Sequence, residues 1–435
     1  MPKYLIRAMV LPMTGEKDFY EQGEIAIEGD RIVSVGEIGS APKDFQPDRI
    51  FELPQDVVLP GLINTHTHAA MTMLRGYADD MPLMRWLEEK IWPFEAKMSA
   101  EDMYWGTLLA LCEMIRSGTT TMVDMYMFEE ETAKAVLRAG TRAVLSRGMT
   151  GLDPDNARKG LEENIKLFED YHNAGNGRIK VLFGPHAPYT CSGEFLKEVK
   201  READRLGTGI HIHVAETKAE LDIIKEKYGK TPVEWLEEQG LFGGQVIAAH
   251  CVYLTDKDID ILKEYGVGVA HNPESNMKLN SGTAPISRLL QRGVTVGLGT
   301  DGASSNNDLD MFCEMRSASL QQKLVGSSED LRAYEVLEMA TSGGAKICGF
   351  DDLGKIAPGY KADLISVDLS QPHFYPRFSI PSLLVYCAKG SDVRTVMVDG
   401  KLLMENRKLL NLEEKTICQQ VEERAKRIAA QFLDK

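Results

Sequence analysis

Two histidines separated by one residue, His66 and His68, are the first feature of this chain that could carry out chemistry. They close an apolar, β-branched run over residues 57–66, and such a run predicts a buried strand. Side chains two residues apart on a strand point the same way, so both imidazoles would converge on one point. Neutral imidazole binds zinc, iron, nickel and copper. An isolated pair of this kind could equally be two hydrogen-bonded core histidines, so the rest of the chain must decide.

Other histidines recur at equivalent places along the chain. Of the nine histidines, those that lie within or at the end of predicted strands are His66, His68, His186, His211, His213, His250 and His271. Buried histidines need hydrogen-bonding partners, so chance placement of so many in the core is a poor explanation. The pattern predicts a metal-centred active site.

A catalytic zinc-type site needs about three or four protein ligands and an open position for water. We expect His66, His68 and His213 to supply nitrogen ligands. Asp301, which follows a predicted strand, can supply a carboxylate oxygen and also accept a proton from bound water. Glu216 lies three residues after His213, where it can exchange protons with a substrate, although a solvated loop acid would show the same spacing.

The remaining histidines are expected to have other roles. His211 lies one layer deeper than His213, which favours a packed, hydrogen-bonded core role. His271 stays open between a direct and a structural role. His172 and His373 lie in polar segments and are expected at the surface.

The elements that would position these residues alternate between strand-like and helical patterns, as in βα units around a parallel sheet. Helical periodicity is present over residues 100–117 and 193–206. The predicted strands are 57–66, 119–124, 142–147, 179–186, 209–214, 245–250, 266–271 and 295–300. This pattern predicts an α/β fold with a (β/α)8 barrel of the TIM type, whose reactive residues lie at the carboxyl ends of the strands.

Both ends of the chain consist of short β-type runs. We expect residues 1–57 and 354–435 to combine into one small composite β-sandwich, beside a barrel formed by residues 58–353. The stretch 412–433 is charged and periodic, which predicts a terminal helix within the second part.

Composition narrows the class of protein and its partners. Hydrophobic residues make up 43% and charged residues 26% of the chain, as is usual for a globular enzyme. The net charge of −15, with scattered Lys and Arg, argues against nucleic acid as a partner. No signal peptide and no apolar stretch approaching ~18 residues are recognised, so we expect no membrane partner. Seven widely spaced cysteines favour a cytoplasmic location. A homo-oligomer is left open.

Over nearly its whole length the chain resembles the amidohydrolase superfamily. The resemblance rests on His66-x-His68, the histidines of the fourth to sixth predicted strands, Asp301 and the segment 354–364. Many members carry a carboxylated lysine after the fourth strand, where this chain has His186. The resemblance therefore implies the mononuclear branch with one divalent metal ion, for which we expect zinc, with iron or nickel as alternatives.

Within that branch the segments 86–95, 186–192 and 271–279 resemble the 5′-methylthioadenosine/S-adenosylhomocysteine deaminases. The resemblance implies that Trp86 packs on the nucleoside, that Glu95 binds the ribose hydroxyls and that His186 contacts the purine or ribose. It also implies that Arg147 and Arg158 pair with the homocysteine carboxylate.

The residues themselves support these two arginines unequally. Arg147 ends a predicted strand, and arginine is well suited to bind a carboxylate in a bidentate manner. Arg158 lies in a less patterned segment and could equally be an ordinary surface residue. After Asp301, Ser305 is expected to contact the substrate, although Ser304 fits the sequence equally well.

The implied reaction is hydrolytic deamination of the adenine ring of S-adenosylhomocysteine and 5′-methylthioadenosine, and of adenosine as a third candidate. We expect water to attack C6, His250 and Asp301 to orient and deprotonate that water, and Glu216 to protonate N1. Alternatives are a guanine or cytosine deaminase, a triazine chlorohydrolase, an amide-ring hydrolase and a catalytically inactive scaffold. In terms of the resemblance, Glu216 favours deamination over chlorohydrolysis, and Glu95 argues against free bases.

Overall fold

A computed structural model describes residues 1–432, and their strands form two separate hydrogen-bonded sheets. The first four strands are β1 (Lys3–Val10), β2 (Tyr20–Glu28), β3 (Arg31–Glu37) and β4 (Arg49–Pro60). The barrel strands are β5 (Leu62–Thr67), β6 (Thr119–Tyr126), β7 (Arg142–Met149), β8 (Ile179–Pro185), β9 (Ile210–Val214), β10 (Val246–His250), β11 (Gly268–His271) and β12 (Val296–Leu298). The last four are β13 (Leu364–Asp368), β14 (Val393–Val398), β15 (Lys401–Glu405) and β16 (Lys408–Leu409).

Helices connect the barrel strands and follow the second sheet. They are α1 (Leu83–Trp86), α2 (Trp92–Glu95), α3 (Ala100–Arg116), α4 (Glu129–Ala139), α5 (Pro154–Tyr171), α6 (Ala174–Gly177), α7 (Gly193–Leu206), α8 (Lys218–Tyr228), α9 (Pro232–Glu238), α10 (Asp256–Glu264), α11 (Pro273–Lys278), α12 (Ile286–Gln291), α13 (Met311–Val325), α14 (Ala333–Glu338), α15 (Gly344–Ile347), α16 (Ile380–Tyr386) and α17 (Glu414–Ala429). No helix within residues 1–432 is both long enough and apolar enough to cross a membrane.

The predicted barrel is confirmed. Its eight strands close in the order β10-β11-β12-β5-β6-β7-β8-β9, and the strand pairs are parallel. Ile63, Val144 and Ile247, which lie in the first halves of their strands, belong to one buried cluster with Ile347 and Phe350. Apolar side chains therefore fill the amino-terminal part of these strands and leave the polar groups to the carboxyl ends.

The two chain ends form one composite sheet, as expected. Its order is β16-β15-β14-β13-β4-β1-β2-β3, and β4 joins the halves by pairing with β1 in parallel and with β13 antiparallel. All eight strands are hydrogen-bonded in one continuous sheet, which forms the additional β domain beside the barrel.

The predicted strand 57–66 is divided, which corrects the sequence analysis. Residues up to Pro60 belong to the composite sheet, and the barrel strand begins at Leu62. The break lies at Gly61, where a Cβ atom would be 2.2 Å from Oγ1 of Thr120. A side chain would collide there, so glycine permits the close approach by which the chain enters the barrel. Apolar periodicity continues through the break, so the sequence alone did not reveal it.

The terminal helix α17 is shorter than the predicted 412–433, and residue 433 lies outside the described residues. It packs on α3, where Arg424 and Arg427 both contact the buried carboxylate of Asp102 at 2.9 and 2.8 Å. Just beyond it, the ring of Phe432 stacks on Phe94 with centroids 6.3 Å apart. The C-terminal segment thereby supports the short helices that carry Trp86 and Glu95.

Candidate active site

The predicted polar residues meet at the carboxyl ends of the barrel strands. His66 lies at the end of β5, His213 in β9 and His250 at the end of β10. His68 directly follows β5, and Asp301 lies three residues after the end of β12. We call these five residues the histidine cluster. The donor atoms of His66, His68 and His213 lie within 4.8 Å of one another, and so do those of His66, His250 and Asp301.

The spacing within the histidine cluster fits a single metal ion. Oδ1 of Asp301 is 3.4 Å from Nε2 of His66 and 3.2 Å from Nε2 of His68, and Nε2 of His213 is 3.3 Å from that of His68. Zinc bonds of about 2.0–2.2 Å in tetrahedral arrangement would separate the donors by about 3.4 Å. In addition, Nε2 of His66 is fully buried without a hydrogen-bond partner, as a metal ligand would be. The residues therefore fit the predicted metal.

The protonation states of His66, His213 and Asp301 favour cation binding. Burial lowers the pKa of His68, but its contact with Asp301 outweighs burial and raises that pKa to about 9, so this ring must lose its proton when a metal binds. Burial lowers the pKa of His66 to about 3 and the pKa of His213 well below its ordinary value, so both rings are neutral and can ligate. Burial alone would raise the pKa of Asp301, but its close contacts with the rings of His66 and His68 outweigh burial and hold that pKa well below its usual range. The carboxylate is thus ionised and provides the negative charge of the cluster.

Hydrogen bonds to the other ring nitrogen orient the ligand candidates. Nδ1 of His68 lies 2.6 Å from the carbonyl oxygen of Met125, and Nδ1 of His213 lies 2.7 Å from that of His186. Nδ1 of His66 lies 2.8 Å from Nε2 of His211. Such contacts fix the tautomer and the ring orientation of metal-binding histidines. His211 is fully buried and hydrogen-bonded, which agrees with the core role expected from its position.

Asp301 is held by both its backbone and its second oxygen. Ser275 and Ser305 donate to Oδ2 at 2.6 and 2.9 Å. The backbone φ angle is 60° at Asp301 and 72° at His250, and both values lie in the left-handed region that residues other than glycine rarely adopt. Strained backbone of this kind persists where the surrounding structure enforces it and clusters at functional sites.

Glu216 is buried just beyond β9, at the histidine cluster. Burial raises the pKa of its carboxyl group, so it retains a proton at higher pH than an exposed glutamate. The carboxylate of Glu220 accepts hydrogen bonds from the backbone N–H groups of Ala215 and Glu216, both at 2.9 Å. Glu220 therefore fixes the turn that aims Glu216, a role that the sequence analysis did not assign.

His250 lies beside Glu216. Its Nε2 is 4.0 Å from Oε2 of Glu216, and its Nδ1 is 2.9 Å from Oδ1 of Asn276. The Asn276 contact directs Nε2 towards the cluster. Asn276 and Ser275 lie in the segment 271–279 that carried the family resemblance, yet no role was given to either.

A cavity of about 340 Å³ opens next to the histidine cluster, within the size range of small-molecule sites. Its walls include most of the predicted substrate contacts, namely Trp86, Glu95, Arg147, His186, Glu216, Asp301 and Ser305. Trp86 is buried, and its Nε1 donates to the carbonyl oxygen of Ala78 at 3.0 Å. His186 is neutral because burial lowers its pKa to about 4. One cavity thus joins the predicted substrate groups to the predicted catalytic groups.

Away from the cluster, the charged residues that line the cavity are Glu95, Arg147 and Lys159. Glu95 is buried and accepts a short hydrogen bond from the hydroxyl of Tyr126. Arg147 donates from Nε to Glu163 at 2.7 Å and also contacts the carbonyl oxygen of Gly148. Glu163 holds the guanidinium at the wall but leaves it partly exposed to the cavity.

Arg158 does not reach the cavity, in contrast to the expectation. Its side chain is 70% exposed and pairs with Asp155 at 2.7 Å, one turn earlier on α5. Helical geometry explains the difference, because the neighbours Asn156, Lys159 and Gly160 turn the other face of α5 towards the cavity.

The ambiguous serines and histidines are now placed. Ser305 lines the cavity, whereas the buried hydroxyl of Ser304 has no partner among residues 1–432 and does not line it. His271 is buried, and neither ring nitrogen has a hydrogen-bond partner among these residues. His172 and His373 are partly exposed and lie outside the cavity, as expected for residues near the surface.

Comparison with known proteins places this site in context. A sequence profile described as the amidohydrolase family matches residues 57–403. A protein of Desulfitobacterium hafniense named 5-methylthioadenosine/S-adenosylhomocysteine deaminase is 68% identical over 429 residues, 99% of each chain. One of Methanosarcina mazei named 5′-deoxyadenosine deaminase is 50% identical over 425 residues, 97% of each. A crystal structure described as an adenosine deaminase from Xanthomonas campestris with bound zinc superposes with a TM-score of 0.95, at 35% identity and covering 99% of both chains.

Proposed function

The chain belongs to the amidohydrolase family, and from this premise we propose that it deaminates the adenine ring of S-adenosylhomocysteine and 5′-methylthioadenosine. The products are the corresponding inosine-type nucleoside and ammonia. Relatives of 50% and 68% identity carry names of this kind, and their alignments cover nearly the entire chain. Adenosine itself is a third candidate substrate.

The observation that carries the proposal is the composition of one cavity. Its inner wall contains Glu216 and four residues of the histidine cluster, all but the fully buried His66, and its other walls contain Trp86, Glu95 and Arg147. Each of these three residues suits one part of the substrate. The ring of Trp86 can pack on the base, the carboxylate of Glu95 can accept hydrogen bonds from ribose hydroxyls, and the guanidinium of Arg147 can bind a carboxylate. The last two match ribose and amino-acid groups that a free base lacks.

We propose that His66, His68, His213 and Asp301 hold one divalent ion, with zinc as the first choice. Nitrogen and oxygen donors in this ratio are typical of zinc, and iron and nickel are the alternatives. When bound, such an ion provides nucleophilic water near neutral pH.

The residues around the ring then move the protons. Glu216, whose pKa is raised by burial, donates a proton to ring nitrogen N1 and makes C6 more electrophilic. His250 and the ionised Asp301 orient the attacking water and accept its proton. The C6–O bond forms and the C6–N bond to the exocyclic amine breaks. One proton of the water leaves with the amine as ammonia, and the other returns to Glu216, which gave its own proton to N1.

The far end of the substrate is held by the other walls. Glu95 is placed to accept hydrogen bonds from ribose hydroxyls, and Arg147 to bind the homocysteine carboxylate. 5′-Methylthioadenosine lacks that carboxylate, so Arg147 distinguishes the two substrates. His186 and Ser305 complete the contacts near the purine.

The direct experiment is turnover by the metal-loaded protein. S-adenosylhomocysteine, 5′-methylthioadenosine and adenosine are supplied separately, and ammonia release is followed together with the ultraviolet change from adenine to hypoxanthine. Equal amounts of ammonia and hypoxanthine product support the proposal. Turnover of guanine or cytosine without turnover of any adenine nucleoside would replace it with the free-base alternative.

We also propose a cytoplasmic location, because all seven cysteines are unpaired and most are buried. The substrate is a small molecule, and a homo-oligomer remains a proposal that size-exclusion chromatography with light scattering would test.

A further inference from the structure

Tyr126, the last residue of β6, has no assigned role in the reaction, yet its hydroxyl donates a short hydrogen bond to Oε1 of Glu95. Both side chains are buried, and both line the cavity. Among residues 1–432, this hydroxyl is the one hydrogen-bond donor to the Glu95 carboxylate. This hydrogen bond therefore fixes the orientation of the Glu95 carboxylate, the proposed ribose-binding group, in the cavity.

Glu95 needs such a contact because its own element is weak. It ends α2, a helix of four residues that follows the π-helical turn Leu87–Ile91. One helical turn has little intrinsic stability, so tertiary contacts must fix its position. Apolar packing through Phe94 holds the backbone, and the Tyr126 hydroxyl is the contact that orients the carboxylate itself.

Tyr126, in contrast, is fixed by the barrel. Its backbone N–H donates to Oε1 of Glu129 at 2.7 Å, and its ring lies 5.9 Å from that of His68. The preceding carbonyl oxygen, that of Met125, is the one that orients His68. The end of β6 therefore orients His68, a candidate metal ligand, and also carries Tyr126, the partner of Glu95.

We infer that Tyr126 is a positioning residue that orients Glu95 from the histidine-cluster side of the cavity and thereby sets the preference for ribose over deoxyribose nucleosides. The inference rests on the proposed function. With Oε1 engaged by Tyr126, the other carboxylate oxygen has no protein partner among the described residues and is left for a ribose hydroxyl. Without Tyr126, the carboxylate would rotate, and its hydrogen bonds to ribose would weaken.

The test compares Tyr126→Phe with the wild type on adenosine, 2′-deoxyadenosine and 3′-deoxyadenosine. The phenylalanine ring keeps the packing against His68 and removes only the hydroxyl. For each enzyme we divide kcat/KM for adenosine by kcat/KM for the deoxyadenosine that lacks the hydroxyl bound by Glu95. In Tyr126→Phe we expect this ratio to fall by about tenfold, as for loss of a hydrogen bond to a charged group. The change should lie mainly in KM for adenosine.

Two further variants separate positioning from a general structural effect. In a Glu95→Gln background, Tyr126→Phe should change the ratio no further, because the two residues act through one contact. Tyr334→Phe is the matched control, since it removes another buried hydroxyl, on α14 and outside the cavity. It should leave the ratio as in the wild type.

The outcomes distinguish this inference from the proposed function. If the wild type deaminates adenosine but Tyr126→Phe lowers kcat/KM equally for all three nucleosides, the positioning role is wrong and the function stands. An additive loss in the double variant would also overturn it. If the wild type deaminates no adenine nucleoside, both the function and this inference fail.

Discussion

The cavity is built from two kinds of support. His66, His213 and Arg147 stand on barrel strands, whereas Trp86, Glu95 and Arg158 come from helices between strands. His213 and Arg147 line the cavity and His66 lies beside His213, as their strand positions predicted, while Arg158 on α5 points to solvent. A strand in a closed barrel fixes the direction of each side chain by its register, but a helix presents a given residue only if the whole helix packs with the right rotation.

The histidine cluster and Glu216, at the carboxyl ends of the strands, are expected to act on the reaction itself, whereas Glu95 on its short helix and Arg147 at the cavity wall are expected to act on substrate binding. The largest effect is expected for His213→Ala, which removes a central donor of the histidine cluster. We expect loss of bound metal and of nearly all turnover, measured by elemental analysis and by ammonia release. His172→Ala, which lies outside the cluster, should retain both. Full metal content together with normal turnover in His213→Ala would exclude it as a ligand.

The next largest effect is expected for Glu216→Gln. Loss of the proton donor should lower kcat by about 10²–10⁴-fold with a smaller change in KM. Because burial raises the pKa of Glu216, the wild-type kcat should fall as the pH rises through that pKa and the donor proton is lost. The glutamine variant should lose this alkaline fall. Glu226→Gln, an exposed change on α8, is the matched control and should keep the wild-type profile; an unchanged kcat in Glu216→Gln would refute the acid role.

A smaller effect, on binding, is expected for the helix-borne Glu95. Glu95→Gln removes the charge that accepts from ribose hydroxyls, so KM for adenosine should rise by about 10–100-fold with little change in kcat. Steady-state kinetics measure both constants. Glu88→Gln, an exposed neighbour in the same segment, should behave like the wild type. A loss confined to kcat would show that Glu95 belongs with the catalytic groups and would break the comparison.

The smallest effects are expected for Arg147 and Arg158, and we expect a larger effect at Arg147 than at Arg158. Arg147→Ala should reduce kcat/KM for S-adenosylhomocysteine about tenfold more than for 5′-methylthioadenosine, because only the former has the carboxylate. Arg158→Ala should change neither substrate by more than about twofold, since its ion pair is exposed. Competition between the two substrates in one mixture measures the ratio directly. An equal loss from both arginines would mean that α5 rotates Arg158 inward when substrate binds.

The residues themselves show which parts of the site were predictable. The histidines and Asp301 were found from the sequence because each lies in, or shortly after, a strand whose apolar pattern is visible. Glu220, Asn276 and Tyr126 were not, although a signal existed: Tyr126 lies two residues beyond the predicted end of its strand, with the same parity as Asp124. The division at Gly61 was also missed, since what distinguishes that glycine is the approach of Thr120 from another strand.

Strand periodicity and strand ends are local properties that a chain carries in its residue order, so the sequence alone was enough to predict the barrel, the candidate metal donors and the candidate acid Glu216. Only the tertiary structure shows which face of α5 lines the cavity and where the chain passes from the composite sheet into the barrel. It also shows that the Tyr126 hydroxyl donates a hydrogen bond to Glu95. These depend on contacts between residues far apart in the chain, such as the 31 positions that separate Tyr126 from Glu95. Packing, which no local pattern encodes, settles them.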